Sequence, residues 1–297
     1  MKDKMMLYGV TLARRFNNKQ KEIFLNEVIT NCNKLNKKTS FMTMHNKVNH
    51  VCNLVINDLK SAKTIVCASY DTASKVILPN YKYYPFNPKL NVKQESYNLI
   101  LEVVLSALLL VLAYMIVIMT ISLTLWIKVL GIVCCVIIVL YCFFALFKGR
   151  ANVFNFNRNS AAIALIMHLV EHVDNDKVAY VLLDKSCNSY EGLKLLKENV
   201  SDHQTIILLD CIADGEKTVV AHNNVDVANL LKDGYIDKKF DDTDNTLGYF
   251  NKCIMICKGS IADHRFIVKN TRSKKDYRVD VDALNVLYED LKAYLEA

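Results

Sequence analysis

Hydrophobic and polar positions alternate along most of this chain, and the alternation stops once. From 99 to 147 nearly every side chain is apolar, with Glu102 and Lys128 the only charges. An apolar run of about fifty residues is too long for one buried core helix, and its internal position argues against a cleaved leader. A helix rises about 1.5 Å per residue, so a hydrocarbon layer about 30 Å thick takes about 20 residues. Residues 103–126 and 129–147 each meet that length, which predicts two membrane-spanning helices joined by a tight turn at Ile127 and Lys128. Trp126 suits the interface beyond the first span, and helices are the form in which a backbone satisfies its own polar groups inside lipid. The same pattern also fits a helical hairpin at the centre of a large soluble bundle. Lys89 and Lys93 precede the run and Lys148 and Arg150 follow it, so the positive-inside rule places both flanks, and both termini, in the cytoplasm.

Outside the run, the periods predict alternating strands and helices. Residues 19–35 read as a helix with Ile23, Phe24, Val28 and Ile29 on one side. Short β-branched runs at 51–56 and 64–68 read as strands, as do 178–183, 205–209, 218–221 and 253–257. Asn159 or Ser160 caps a helix running to about 173, and further helices are expected at 190–199, 225–231 and 281–295. Strands spaced by helices predict an α/β fold, a mixed and mainly parallel sheet with helices on both faces. The inserted hairpin divides the chain into 1–98, 99–147 and 148–297, the outer segments forming one domain.

Composition narrows the chemistry. The ten cysteines show no secreted disulfide spacing, and Cys134, Cys135 and Cys142 lie inside the second apolar span. The net charge of +7 comes from lysines interleaved with acids, which fits a face towards anionic headgroups and does not call for nucleic acid as a partner. Among only eight glycines there is no G-x-G-x-x-G or Walker loop, so nucleotide chemistry is not expected.

Several residues have a chemical pattern and a simpler structural reading. His168, Glu171 and His172 spell H-x-x-E-H, which puts two imidazoles on one helix face with a carboxylate base, as in inverted zinc proteases. They fall in the last turns of their helix, whereas open α/β sheets gather ligands at the carboxyl ends of strands, and a helix C-terminus favours histidine by its dipole alone. Cys253 and Cys257 have ligand-like spacing but sit on a predicted core strand. Asp263 and His264 read as an exposed loop. Asp237, Asp241, Asp242 and Asp244 carry oxygens suited to a hard cation, but Lys238 and Lys239 among them favour a solvated loop.

Six segments in order carry a resemblance. Asn53-Leu54-Val55-Ile56 followed by Thr64-Ile65-Val66-Cys67-Ala68-Ser69-Tyr70-Asp71-Thr72 resembles the opening of the di-zinc exopeptidases, which include bacterial aminopeptidases and glutaminyl cyclases and in which the second strand ends in a His-Tyr-Asp-Thr sequence. Asn157-Arg158-Asn159-Ser160-Ala161-Ala162 resembles the family's Asn-Asp-Asn-Ala-Ser-Gly helix start. Residues 178–184 resemble the strand leading to its Glu-Glu pair, and 206–210 the strand ending in a metal-binding Asp. Thr243-Asp244-Asn245 resembles a Ser-Asp-His element and Asn270-Thr271-Arg272 the final His-Thr.

The resemblance implies a zinc-exopeptidase fold and a degenerate site. Ser69 stands for the first His, Arg158 for the bridging Asp, Ser186 and Cys187 for the Glu-Glu pair, and Asn270 for the last His, with Asp244 and Asn245 at the Ser-Asp-His element. Asp210 is retained, and Asp71 keeps the position that orients the lost His. A guanidinium where two dications would sit repels them strongly, so no catalytic residue and no cofactor is expected, and Arg158 is expected to pair with Asp71 or Asp210 instead. The implied protein is a membrane-anchored pseudo-peptidase with a binding or scaffold role, its hairpin rising from the rim of the old crevice. Two alternatives stand beside it: a membrane-bound zinc peptidase rearranged around His168, Glu171 and His172, and a subunit of a membrane complex, with a membrane protein or further copies packing on small residues such as Cys134, Cys135 and Ala145.

Overall fold

The structure, a computed structural model, describes residues 1–45, 50–187, 189–240 and 250–297. In chain order the elements begin with α1 (Lys2–Met6), which runs into a π-helical turn (Leu7–Thr11), then α2 (Asn18–Lys34), β1 (Thr39–His45), β2 (His50–Ile56) and β3 (Thr64–Ser69). A short β4 (Lys82–Tyr83) precedes the two long helices, α3 (Pro88–Thr120) and α4 (Leu125–Lys148). After a second π-helical turn (Phe156–Ser160) come α5 (Ala161–His172), β5 (Val178–Leu183), α6 (Glu191–Asn199), β6 (Thr205–Leu209), β7 (Lys217–Asn223), β8 (Tyr235–Lys239), β9 (Lys252–Ala262), β10 (Arg265–Lys269) and α7 (Val281–Glu296).

The strands form one mixed sheet in the order β1-β2-β5-β3-β6-β9-β10-β4, with β7 and β8 branching from β9. Its centre is parallel, β5, β3, β6 and β9 running together, while β1, β2, β7, β10 and β4 pair antiparallel around it. Central strands covered on both faces need apolar side chains on both, and β3 supplies them by simple alternation. Val66 and Ala68 join one core with Phe24 and Val28 of α2, Ile163 of α5 and Leu284 of α7. Ile65 and Cys67 join the opposite core with Leu193 and Leu196 of α6. Cys253 and Cys257 are fully buried in that second core.

Several elements depart from expectation. The buried side of α2 is Phe24, Leu25, Val28 and Cys32, and Ile23 is exposed. A capping box of Asn17 and Gln20 starts this helix and sets the register that turns Ile23 outward. Residues 225–231 form no helix: after Val227 the chain makes one turn, Leu230 and Leu231 both donating to the Val227 carbonyl. With Asp226 and Asp233 at either end and Gly234 beyond, the segment lacks the length and caps to continue. Asp237, Lys238 and Lys239 lie on β8, beside β7, rather than in a loop; Asp241, Asp242, Asp244 and Asn245 lie outside the described residues. Asp263 and His264 form an exposed two-residue turn between β9 and β10, both at positive φ (52° and 57°).

The two long helices are each long and apolar enough to cross a membrane, with mean hydropathies of 2.7 and 3.0 over their most apolar stretches. Only 11% and 17% of those stretches are buried, unlike the core helices of a soluble bundle. What is buried is small: Ser106 and Ala113 on α3, Cys142 and Ala145 on α4, the residue types that let two helices approach closely. The turn falls at residues 121–124, not at Ile127 and Lys128. Thr124 sits in the extended N-cap position of α4, its carbonyl taking the amides of Ile127 and Lys128, so Lys128 lies in the first turn of α4. The chain leaves the sheet domain and returns to it through a neck: Ser74 pairs with Ala151, Lys75 donates to the Arg150 carbonyl and Asn152 to that of Ala73.

Candidate functional site

The parallel strands β3, β5 and β6 end on one edge, and the residues that follow them meet the turn opening α5. Arg158, in that turn, is the centre. It is buried (6% exposed), its Nη1 donates to Asp210 Oδ1 and to Cys211 Sγ (3.2 Å), and its Nη2 donates to the Cys187 carbonyl at 2.7 Å. Tyr83 of β4 lies over the guanidinium, its ring centroid 4.3 Å away, and its hydroxyl donates to Asp210 Oδ2 at 2.7 Å. Asp210 therefore has one oxygen held by a cation and the other by a phenol. Burial alone would lower the Arg158 pKa; the Asp210 carboxylate, together with Tyr83, Cys211 and Cys187, outweighs it and raises the pKa well above the ordinary value. Arg158 Nε has no hydrogen-bond partner although it is buried.

Asp71 does not pair with Arg158. Its carboxylate accepts the backbone amides of Ser186 (2.9 Å) and Cys187 (3.2 Å) and so shapes the turn after β5. Burial raises its pKa, against the pull of those amides. Cys187 donates its thiol to the Asp71 carbonyl at 2.9 Å, and burial pushes that thiol up to about 12, so it is not a thiolate at neutral pH. Ser186 donates its hydroxyl to the Asp184 carbonyl. Ser69, half-buried at the end of β3, lines the same crevice as Arg158, Ser186, Cys187 and Asp210. Gly192, at the start of α6, is required by close approach, since a Cβ there would run into the Asp184 carbonyl and the Ser186 hydroxyl.

Asn270 stands apart from this group. It adopts φ 66° and lines a second groove with Thr271, its amide reaching Asp214 at 3.4 Å. Two residues on, Arg272 turns into the crevice. Its Nε and Nη2 donate to the Ser74 carbonyl (2.7 Å) and hydroxyl (2.9 Å), and its Nη1 ion-pairs with Glu95 of α3 and reaches the Tyr81 hydroxyl. One side chain thus ties the sheet domain to the neck and to α3. The crevice, a cavity of about 620 Å³, runs from Arg158 and Asp210 up to Leu99 and Glu102 of α3 and Phe147 of α4.

Sequence reasoning missed Arg15, which supports this floor. It is fully buried and donates to the carbonyls of Tyr70 (2.6 Å), Tyr8 (2.9 Å) and Leu12, to Asn159 Oδ1 (2.8 Å) and to the Ser160 hydroxyl (2.9 Å). Burial lowers its pKa to about 10, leaving it charged at neutral pH. No local pattern around Arg15 marks it, because Tyr70 and the Asn159–Ser160 pair, which fix its guanidinium in the floor, come from two distant segments.

His168, Glu171 and His172 lie at the other end of α5, about 18 Å of helix from the Arg158 turn. Their ligand atoms come within 4.8 Å of one another, the only such group of three among the described residues. Glu171 is paired with Lys4 at 2.7 Å, and His172 Nδ1 donates to the His168 carbonyl at 2.8 Å. Burial, with the N-terminus and Lys4 nearby, lowers the His168 pKa to about 4.

No family model matches the chain, and no curated protein matches it. Solved structures do. The glutaminyl cyclase of Porphyromonas gingivalis is 11% identical, over 96% of this chain and 93% of that one, with a TM-score of 0.54. The glutaminyl cyclase of Fimbriiglobus ruber is 11% identical over 99% and 92%, with a TM-score of 0.52. LapA of Legionella, an aminopeptidase, is 10% identical over 99% and 70%, with a TM-score of 0.51. At such identities the likeness is one of fold: a zinc-exopeptidase-like α/β domain, here with two long apolar helices inserted.

Proposed function

We propose that this chain is a pseudo-peptidase anchored in a membrane by α3 and α4, with its crevice adapted to binding at the cytoplasmic face rather than to hydrolysis. The observation that carries this reading is the Arg158–Asp210 pair. Arg158 stands where the resemblance puts a carboxylate bridging two zinc ions, and its charge already satisfies the one ligand-type carboxylate beside it. A unit charge and a dication about 4 Å apart repel by about 8 kcal/mol at an effective dielectric constant of about 20. Ser69, Ser186 and Cys187, a thiol held protonated, replace stronger donors. The residues at Arg158 do not fit a di-zinc centre, and no hydrolytic step is derived from them. Crevice and helices share a wall, so an occupant would be held at the height of the lipid headgroups. Lys89, Lys93 and Arg150 at the feet of the helices favour the cytoplasmic side.

Metal analysis of the purified full-length protein, together with assays for release of N-terminal residues and cyclisation of N-terminal glutamine, tests this directly. The expected outcome is no stoichiometric zinc and no turnover. Zinc that depends on Asp210, accompanied by turnover, would overturn it. A second reading, a metal site at His168, Glu171 and His172, has their convergence in its favour; Lys4 on Glu171 opposes a cation there. Zinc that is lost in His168→Ala and kept in Asp210→Ala would establish it.

A further inference from the structure

Below the two long helices the crevice has two kinds of wall. Val92, Glu95, Ser96, Leu99 and Glu102 recur at spacings of three and four along α3, and Leu146 and Phe147 of α4 add an apolar edge. Val92, Leu99 and Phe147 are exposed (65%, 53% and 75%), so none of the described residues covers them. This wall is continuous with the apolar spans above it. At the deep end the lining is polar, with Arg158, Asp210, Ser69, Ser186 and Tyr83.

The charges of this lining select among occupants. Both its cations already have carboxylate partners, Arg158 with Asp210 and Arg272 with Glu95. The third carboxylate, Glu102, takes only the amide of Asn98 (3.2 Å) among the described residues. An anionic head therefore meets no unpaired cation here and one unpaired acid. What the deep end lacks is an acceptor, because the buried Arg158 Nε–H has no partner, and a buried donor left so is unfavourable. An ester or amide carbonyl supplies that acceptor without adding charge. At about 620 Å³ the cavity also lies within the roughly 300–1,000 Å³ range of small-ligand sites.

We propose that the crevice takes a neutral acyl lipid from the bilayer, its ester or amide carbonyl facing Arg158 Nε and its chain leaving past Val92, Leu99 and Phe147 beside the hairpin. This rests on the anchored, metal-free reading above and names the ligand class of that site. The probe is monoolein, compared with oleate and oleylamine, which carry the same chain on an anionic and a cationic head. Adducts on the full-length protein in detergent are counted by native mass spectrometry. Monoolein is expected to bind at one to one and at least tenfold more tightly than oleate, whereas oleylamine binding more tightly than monoolein would place the head on Glu102 and overturn the inference. Val92→Trp and Ser96→Trp, which fill the cavity from exposed positions of α3, are expected to lower its occupancy at least tenfold, while Leu130→Trp on the outer face of α4 leaves it unchanged. Circular dichroism confirms that all three variants are folded. Equal binding of the three lipids, or binding indifferent to Val92→Trp and Ser96→Trp, would mean surface lipid alone and would overturn the inference. Zinc is measured on the same samples: absence of both zinc and monoolein sinks this inference and leaves the pseudo-peptidase reading standing, whereas stoichiometric zinc at Asp210 sinks that reading itself.

Discussion

If Arg158 and Asp210 replace a metal centre as the support of the crevice, they act as one unit, and a double-mutant cycle measures this. Breaking a buried ion pair by removing one partner costs about 3–5 kcal/mol, because the other charge is left uncompensated. Arg158→Ala leaves Asp210 with the Tyr83 hydroxyl and the Cys211 thiol, both neutral; Asp210→Ala leaves a guanidinium, 6% exposed, held by the Cys187 carbonyl and the Cys211 sulfur. Each single change should therefore cost about 4 kcal/mol. The double variant removes both charges and leaves one phenol and one carbonyl unpaired, so it should cost no more than either alone, a coupling of about 4 kcal/mol. The only tryptophan, Trp126, lies at the far tip of the hairpin and reports nothing of the crevice. Cys187 and Cys211 flank the pair, are buried and become reactive when the region opens. Thiol labelling of these two, resolved by mass spectrometry, should accelerate about a thousandfold in each single variant, at 1.4 kcal/mol per factor of ten. Additive costs, or single variants labelled at the wild-type rate, would refute a cooperative pair.

Other consequences are more local. Asp276 accepts the amides of Asn157 (2.9 Å), Arg158 (3.3 Å) and Arg272 (2.9 Å), so Asp276→Ala, read by thermal unfolding, should cost about 3 kcal/mol or more by orphaning three buried donors. Burial raises its pKa from 3.8 to about 7; the folded state then binds the proton more tightly, and stability declines as pH rises across that window, a slope that Asp276→Asn should remove. For His168, lowered from 6.5 to about 4, the sign is opposite: its contribution is complete above pH 6.5 and is lost as pH falls towards 4, and His168→Gln should flatten this acid limb. Arg272→Gln breaks the clamp on Ser74 and Glu95, and limited proteolysis at the neck should speed up at least tenfold with the sheet core still protected.

The parts of the fold that could be read in advance are those whose signal is local. The strands 51–56, 64–68, 178–183 and 205–209 announce themselves because both faces are buried, which leaves β-branched runs between polar stops. β1 and β8 face outward on one side and carry mixed residues such as Ser40 and Asp237, so their identity depends on a partner strand rather than on composition. β10 was hidden for another reason: Asp263-His264 takes two positive φ values without the glycine that usually marks such a turn. Hydropathy marks the hairpin but not its turn: Lys128 looks like a break in the apolar run, yet a lysine in the first turn of a helix can carry its charge away from apolar neighbours along its stem. At the site, the ordered motifs placed Asp71, Arg158, Cys187 and Asp210 near one another. Arg15 and Tyr83 escaped, since each reaches the crevice from a segment without a motif, and the motif at 270–272 pointed to Asn270 where the structure turns Arg272 inward.

Tyr83 also exposes a dependence between the inserted hairpin and the crevice. Tyr81 and Tyr83 precede α3 and Glu95 lies on its first turns, so the insertion supplies walls to the site. Two deletions separate these walls from the apolar spans. Removing 99–147 and closing the gap with a short flexible linker retains Tyr83 on Asp210 and Glu95 on Arg272. Removing 76–149 takes away both, leaving one Asp210 oxygen without its donor and the Arg272 guanidinium without its carboxylate. Two buried groups stripped of charged or hydrogen-bonded partners cost about 4–8 kcal/mol together, comparable to the whole stability of many domains. The first deletion should thus yield a folded protein whose Cys187 and Cys211 stay protected, and the second a chain that labels as though unfolded. If both deletions label alike, the crevice owes nothing to the insertion, and the hairpin is a tether only.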